Sequence, residues 1–171
     1  MSQTLELVAA DSVLVTAMSD FIKAYVAADM PVVRGFVNRV SKPSGPEYAV
    51  VSPMSGTRLA TNLHAYDREA AAQRITKRTQ RRVQVDFLGK RADVLAETFC
   101  TLLRDAVAVE HFKKYGIAPL YADDAQAVGD TDGGNQWTGR WTVNAMMQMD
   151  ATASLPQDYF DNVNLSLHPQ A

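Results

Sequence analysis

The sequence has little of what a chemical site needs. Its single cysteine, Cys100, has no partner for an internal disulfide. Cys100 lies beside the apolar face of a helical pattern, which predicts a small buried hydrophobe rather than a reactive thiol. The three histidines, His64, His111 and His168, stand in unrelated contexts without the spacing of metal ligands. We therefore expect the histidines to be structural or exposed.

Motifs that hold phosphates or activate a nucleophile are also missing from the sequence. Asp130-Thr131-Asp132 resembles the start of a calcium loop, but Trp141 occupies position twelve, where the loop needs a bidentate glutamate. We predict that this loop is solvated and that the protein has no metal, no cofactor and no catalytic residue. A small hydrolase or transferase of unfamiliar type stays open, and a pocket of convergent ionisable groups would favour it.

No apolar run approaches the length of a membrane span. The first residues lack a basic segment and carry Glu6 and Asp11, so we expect no signal peptide. The net charge of −2 indicates no particular partner. With 171 residues and 47% hydrophobic residues, the chain is predicted to form one domain over residues 1–171.

The most informative stretch is residues 81–121. Apolar and polar residues alternate over 82–88, which predicts a half-buried strand that ends at Gly89. The period then changes to three and four residues, which predicts a long amphipathic helix. The apolar positions of this helix are Val94, Leu95, Phe99, Leu102, Leu103 and Val107. A second helical run over 109–115 ends at Gly116, which suits a left-handed helix end.

The other segments supply a further helix and several strands. A helix is predicted from Asp11 or Ser12 to the turn before Pro31. Extended segments are predicted over 32–40, 48–52, 58–66, 74–88, 117–121, 137–150 and 159–167. Loops are predicted over 41–47 and 122–136, with a turn over 54–57. For residues 67–73 the sequence is compatible with either a helical turn or a long connection. The result is an α+β fold whose mainly antiparallel sheet is packed by the N-terminal helix and the long central helix.

The helix and the sheet are predicted to share one core. Its members are Val83, Val85, Phe87, Leu95, Phe99, Leu102, Trp141, Val143 and Ala145.

Positive charge is concentrated in the first half of the long strand. The basic residues are Arg74, Lys77, Arg78, Arg81 and Arg82. Both faces of this half are polar, so we predict an arm around residues 67–82, either a projecting strand or a projecting hairpin, that another chain covers. The five cations are the candidate interface with a subunit or another partner. Three readings stay open: a solvated strand, contact with an acidic surface, and contact with nucleic-acid phosphates.

Acidic residues that could meet these cations in a neighbouring copy lie in the 122–136 loop. They are Asp123, Asp124, Asp130 and Asp132. Nothing in the sequence shows that the two groups meet.

The order and the local sequences of several segments resemble those of the tail terminator, or neck terminator, proteins of tailed phages. The matching features are Pro-Ser-Gly-Pro-Glu-Tyr at 43–48, the strand 82–88 with Gly89 and the helix 92–103, Tyr-Gly-Ile-Ala at 115–118, and the late strands 140–150 and 159–167. The resemblance spans roughly residues 41–167. It rests on a pattern of elements and carries no catalytic signature.

The resemblance implies a structural virion protein in the tail or neck, assembled in the bacterial cytoplasm. Such proteins form a homo-oligomeric ring, usually a hexamer, that ends the tail tube and joins it to the head connector. The implied partners are further copies, the tube protein, a neck or head-completion protein, and a sheath protein where the tail contracts. Genome DNA passes through the ring without sequence-specific binding. The alternatives are another head–tail connector or head-completion protein, and a nucleic-acid-binding protein that uses the basic strand over 74–82.

Overall fold

The computed structural model describes residues 11–37, 43, 45–131 and 137–157. The helices are α1 (Asp11–Phe21), which continues into a π-helical turn (Ile22–Val26), α2 (Ala92–Leu103) and α3 (Ala106–Lys113). The strands are β1 (Val32–Arg34), β2 (Tyr48–Arg58), β3 (Leu63–Asp67), β4 (Ala72–Leu88), β5 (Ile117–Ala122), β6 (Gln126–Ala127), β7 (Asp130–Thr131), β8 (Trp137–Thr138) and β9 (Arg140–Pro156).

Two 17-residue strands, β4 and β9, form the centre of the sheet. They pair antiparallel along their whole length, from Ala72 opposite Pro156 to Leu88 opposite Arg140. The path across the sheet is β1-β2-β4-β9-β5, while β3 also pairs with β4 and β6 with β9. Only the β1–β2 pair of this sheet, as described, is parallel. The predicted α+β fold with a mainly antiparallel sheet is confirmed.

The helices lie on one face of the sheet and bury the core there. Val83, Val85 and Phe87 of β4 alternate toward this face, as do Val143 and Ala145 of β9, and all five are fully buried. Leu95 and Phe99 of α2 pack on them, and Leu102 and Trp141 are partly buried against the same core. The predicted nine-residue core is therefore confirmed, and α1 adds Leu14, Met18 and Phe21 to it.

Local sequence signals account for the helix ends. Asp105 caps α3, because its carboxylate accepts a hydrogen bond of 3.1 Å from the Val107 amide. Gly116 follows the helix with φ of +66°, a conformation in which a side chain would be strained, so the predicted left-handed helix end is confirmed. None of the helices in the described ranges is long and apolar enough to cross a membrane.

Several predicted boundaries are wrong. Residues 54–57 form no turn: β2 runs through them, and its register with β4 shifts between Pro53 and Gly56 as at a β-bulge. A Ser-Gly pair fits a bulge as well as a turn, because both need a backbone without bulk. In the extended segment predicted over 32–40, residues 32–34 form a strand and residues 35–37 do not, while residues 38–40 lie outside the described residues. The segment predicted over 58–66 is divided between the end of β2 at Arg58 and β3 from Leu63. Conversely, β9 runs six residues past the predicted end at 150.

Two other predictions concern segments that lie partly or wholly outside the described residues. The 122–136 segment, predicted as a loop, contains the short strands β6 and β7, and residues 132–136 lie outside the described residues. The strand predicted over 159–167 also lies outside the described residues.

The open connection over 67–73 is a β-hairpin turn between β3 and β4. The Asp67 carboxylate accepts a hydrogen bond of 3.2 Å from the Ala70 amide, which supports the turn. Three strand segments form the arm of the folded protein, which is larger than the predicted arm over 67–82. They are β3, residues 72–78 of β4 and residues 150–156 of β9. The backbone of β4 is paired on both sides here, by β3 and by β9. The β4 backbone of the arm therefore has hydrogen-bonding partners on both sides within its own chain.

Candidate interaction surface

The five predicted interface cations are divided between the two faces of the sheet. β4 and β9 pair without a register shift, so side chains of β4 alternate strictly. Lys77 and Arg81 share the helix-covered face with Val83. Arg74, Arg78 and Arg82 share the opposite face. The structure therefore does not bring the five cations together into one site.

Arg81 belongs to the fold of its own chain. Its guanidinium forms an ion pair with the Asp11 carboxylate at the start of α1, and only 23% of the Arg81 side chain is exposed. Gly56 makes room for this arrangement, since a Cβ there would lie 2.7 Å from Arg81 Cδ. Arg81 thus connects α1 to β4, and a role for Arg81 at an interface stays a prediction.

Arg78 and Arg74 lie beside acidic groups on the opposite face. Arg78 faces its register partner Asp150, with 3.5 Å between Nε and Oδ2 and 54% of the Arg78 side chain exposed. Arg74 is exposed and, with Asp67 and Asp150, lines a cavity of about 320 Å³ beside the hairpin turn. An exposed ion pair of this kind contributes at most about 1 kcal/mol. Arg78 is consequently available to an external partner at small cost.

Lys77 and Arg82 are exposed on opposite faces. Neither makes an ion pair with the described residues. Lys77 and Arg82 are therefore accessible to an external partner, as is Arg74.

Sequence reasoning missed a buried polar cluster around Asp86. Asp86 is only 4% exposed although it lies on the face opposite the helices. Its carboxylate accepts hydrogen bonds from Gln84 Nε2 at 3.0 Å and from the Thr142 hydroxyl, and pairs with Arg140 at 3.1 Å. The alternation placed Asp86 on the polar face correctly, but no local signal shows that this part of the face is buried. The cluster satisfies a buried charge and has no reacting group beside it.

A second ion pair fixes the strand-to-helix turn. Arg91, just before α2, donates hydrogen bonds to Glu47 at 3.1 Å and 2.6 Å, and its backbone amide donates to the same carboxylate. These bonds lower the pKa of Glu47 and raise the pKa of Arg91. This contact joins the loop before β2 to the start of α2.

The acidic segment after β5 is also engaged within its own chain. Asp124 pairs with Arg104 at 2.8 Å, and this hydrogen bond raises the pKa of Arg104. Burial raises the pKa of the Cys100 thiol, which contacts the Asp123 carbonyl at 3.1 Å. In the described ranges, no group of three potential ligands could hold a metal ion. Asp132 lies outside those ranges, so the absence of a metal site in this loop stays a prediction.

The histidines occupy unrelated places. His64 on β3 is exposed beside Gln73, with 3.2 Å between His64 Nδ1 and Gln73 Nε2. His111 is buried on α3, where Nε2 lies 3.2 Å from the Ala17 carbonyl and burial lowers the pKa of the imidazole. A hydrogen bond to Asp20 raises the pKa of the neighbouring Tyr115 to about 12. His168 lies outside the described residues.

The outer flank of α2 forms a groove of about 610 Å³ with the start of β9. Val94, Leu102 and Trp141 provide its apolar lining, and Asp93 and Glu97 provide carboxylates. Val94 was predicted on the buried face of the helix, but 59% of it is exposed. The error arises because Val94 neighbours the buried stripe, where a one-residue step of 100° decides between core and solvent.

The family model of phage neck terminator proteins matches residues 12–170 of the chain. The match includes all the strands described above and almost all of α1. No curated protein sequence matches the chain.

Proposed function

Because the chain belongs to the phage neck terminator protein family, we propose that it forms a hexameric ring on the head-proximal end of the tail tube. The family is a structural one, and its members belong to the tail and neck region of the virion. In our proposal the ring stops polymerisation of the tube and offers its other side to the head connector. The family match over residues 12–170 carries this proposal.

The shape of the sheet supports assembly through repeated contacts between copies. β4 and β9 continue past the core, whose members on these strands end at Val83 and Met149. The arm beyond them has β3 at an edge, and an exposed edge strand invites pairing with other chains. Head-to-tail contacts in a closed ring cover such elements in every copy and leave no free end.

The proposed partners differ at the two sides of the ring. The tube protein lies below it, and a neck or head-completion protein lies above it. A sheath protein is a further neighbour where the tail contracts, and genome DNA passes through the lumen without sequence-specific contacts. Assembly takes place in the cytoplasm of the bacterial host.

The row formed by Arg74, Arg78 and Arg82 is proposed to face one of these other neck or tail proteins. The three side chains point to the same face at intervals of four residues, about 13 Å on a strand. A row of this kind suits an extended acidic surface and would steer its approach. Arg81 and Arg78 already form ion pairs with carboxylates of the same chain. These two ion pairs reduce the net positive charge that the strand can offer to nucleic-acid phosphates.

A deletion of the gene in the phage genome tests the proposed function. Infected cells should then contain tail tubes of irregular and excessive length together with filled heads that carry no tail. Expression of the wild-type protein from a plasmid should restore tails of uniform length. Tails of normal length joined to heads in the deletion phage would contradict the proposal.

A further inference from the structure

The arm has a partly apolar surface on the helix side of the sheet. Register pairing places Tyr66, Ile75 and Leu155 on this side, together with Ala151 and Ala153. Tyr66 is 41% exposed, and the other four are half-buried. Within the described ranges no helix covers this surface, because α1 begins beside Arg81 and runs over the core.

A pair of cations borders this apolar surface. Lys77 faces the helix side on β4, and Arg58 is the neighbour of Thr79 on β2, so the two lie on one face as diagonal neighbours. Diagonal neighbours of adjacent strands are separated by about 7–8 Å. Both side chains are exposed, and neither makes an ion pair with the described residues.

The α2 groove has the complementary chemistry. Val94, Leu102 and Trp141 form its apolar lining, and Asp93 and Glu97 lie four residues apart on the same flank of the helix. Side chains at this spacing have Cβ atoms about 5–6 Å apart. Both carboxylates are exposed and unpaired within the described part of the chain.

The arm surface and the α2 groove cannot meet within one molecule. Trp141 in the groove and Ala153 in the arm lie on the same face of β9, twelve residues or about 40 Å apart. Each copy therefore presents a basic apolar patch at one end of its sheet and an acidic apolar groove at the other. Two different complementary patches on one molecule produce a head-to-tail contact, which repeats around a ring.

We infer that the arm of one copy lies in the α2 groove of the next copy, with Lys77 and Arg58 against Asp93 and Glu97. This inference rests on the proposed ring and names the contact that builds it. The charges favour a second copy as the occupant, because two spaced cations meet two carboxylates at a similar spacing. Other candidate occupants are residues 1–10 and 158–171 of the same chain, which precede α1 and follow β9, and a different virion protein.

Two charge-reversal variants test the contact. The arm variant combines Lys77→Glu with Arg58→Glu, and the groove variant combines Asp93→Lys with Glu97→Lys. Each places like charges together in every contact, so the concentration needed for ring formation should rise about tenfold or more. Mass photometry measures the ring population, and thermal unfolding checks that both variants fold. Arg74→Glu with Arg82→Glu is the matched control, because it makes the same charge change on the opposite face of the same sheet.

Mixing the two variants gives the sharper test. The acidic arm of the arm variant then meets the basic groove of the groove variant. The unchanged basic arm of the groove variant meets the unchanged acidic groove of the arm variant, so both contacts join opposite charges. The equimolar mixture should form rings of alternating copies as readily as wild type, although neither variant does so alone. Deletion of residues 1–10 should leave ring formation unchanged.

Three outcomes overturn the inference. They are rings in both variants alone, no rescue on mixing, and loss of rings when residues 1–10 are removed. The proposed function fails separately, if wild-type protein itself forms no ring.

Discussion

Phe99 connects α2 to the sheet and to α1. It is fully buried on α2, with its ring centroid 5.5 Å from that of Phe87 and 5.9 Å from that of Phe21. Replacing it by alanine removes contacts with β4 and with α1 at once. We predict that Phe99→Ala lowers the free energy of unfolding by about 3–5 kcal/mol, measured by urea denaturation.

Val94 on the same helix provides the control for Phe99. It is exposed, so Val94→Ala should change the free energy of unfolding by no more than about 0.5 kcal/mol. Similar small effects of both substitutions would show that α2 does not pack on the sheet as described.

The lowered pKa of His111 predicts that the stability of the fold depends on pH. Burial lowers its pKa in the folded protein, and Lys114 acts in the same direction, whereas the Ala17 carbonyl and Asp20 raise it. A lowered pKa means that the folded state prefers neutral imidazole. The stabilisation is therefore complete above the unfolded pKa of about 6.5 and declines as the pH falls toward the lowered value.

We predict a lower melting temperature at pH 5.5 than at pH 7.5, measured by circular dichroism. His111→Gln should reduce that difference. The exposed His64 offers a control, because His64→Gln should leave the pH dependence as it is in wild type. An unchanged pH dependence in the His111 variant would contradict the role of this histidine.

Single residues also show where sequence reasoning stops. The alternation of β4 assigned Val83, Val85 and Phe87 to the core, because period and polarity agree there. Asp86 obeys the same alternation yet is buried, since its burial depends on neighbours that are distant in sequence. Its partner Thr142 lies 56 residues away in sequence. The ion pair between Arg81 and Asp11 could not be predicted either, because these residues are 70 positions apart in the sequence.

At the scale of elements, long periodic segments could be predicted and short ones could not. β4, β9 and α2 carry strong patterns, because each buries one face against the same core. The bulge in β2 and the short strands β6 and β7 depend on pairing with other strands, and the local sequence does not specify that pairing. The hairpin turn over 67–73 stayed open because Arg-Glu-Ala-Ala at 68–71 has no strong turn residue.

The acidic segment after β5 yields a prediction at this scale. If it binds no metal, an excess of a strong chelator should leave the melting temperature unchanged. Asp124 already has Arg104 as its partner, which accounts for part of the acidic charge without an ion. A drop in melting temperature on chelation, reversed by added calcium, would restore Asp130 as a candidate metal ligand.

At the scale of the whole molecule, the row of Arg74, Arg78 and Arg82 lies on the face opposite the helices. It should affect the joining of tails to heads rather than ring formation. We predict that Arg78→Glu with Arg82→Glu leaves rings of the purified protein intact and reduces the fraction of tails joined to heads or ended at normal length. The reason is that this face is separate from the proposed contact between copies. Electron microscopy of lysates from a complemented deletion phage measures both quantities.

Normal rings, tail lengths and head joining in that variant would show that the row is a solvated surface. The candidate interface was thus predictable from the sequence as a stretch of charge, and its period-two alternation divides the cations between two faces. The ion pair of Arg81 and the apolar neighbours of Lys77 depend on distant contacts and on strand register, which no local pattern specifies.

The oligomeric state of the purified wild-type protein tests the central claim most directly. Mass photometry combined with negative-stain imaging should show closed rings at six times the subunit mass, with a central opening. A protein that stays monomeric at all accessible concentrations, or that forms open filaments instead of rings, would contradict the account.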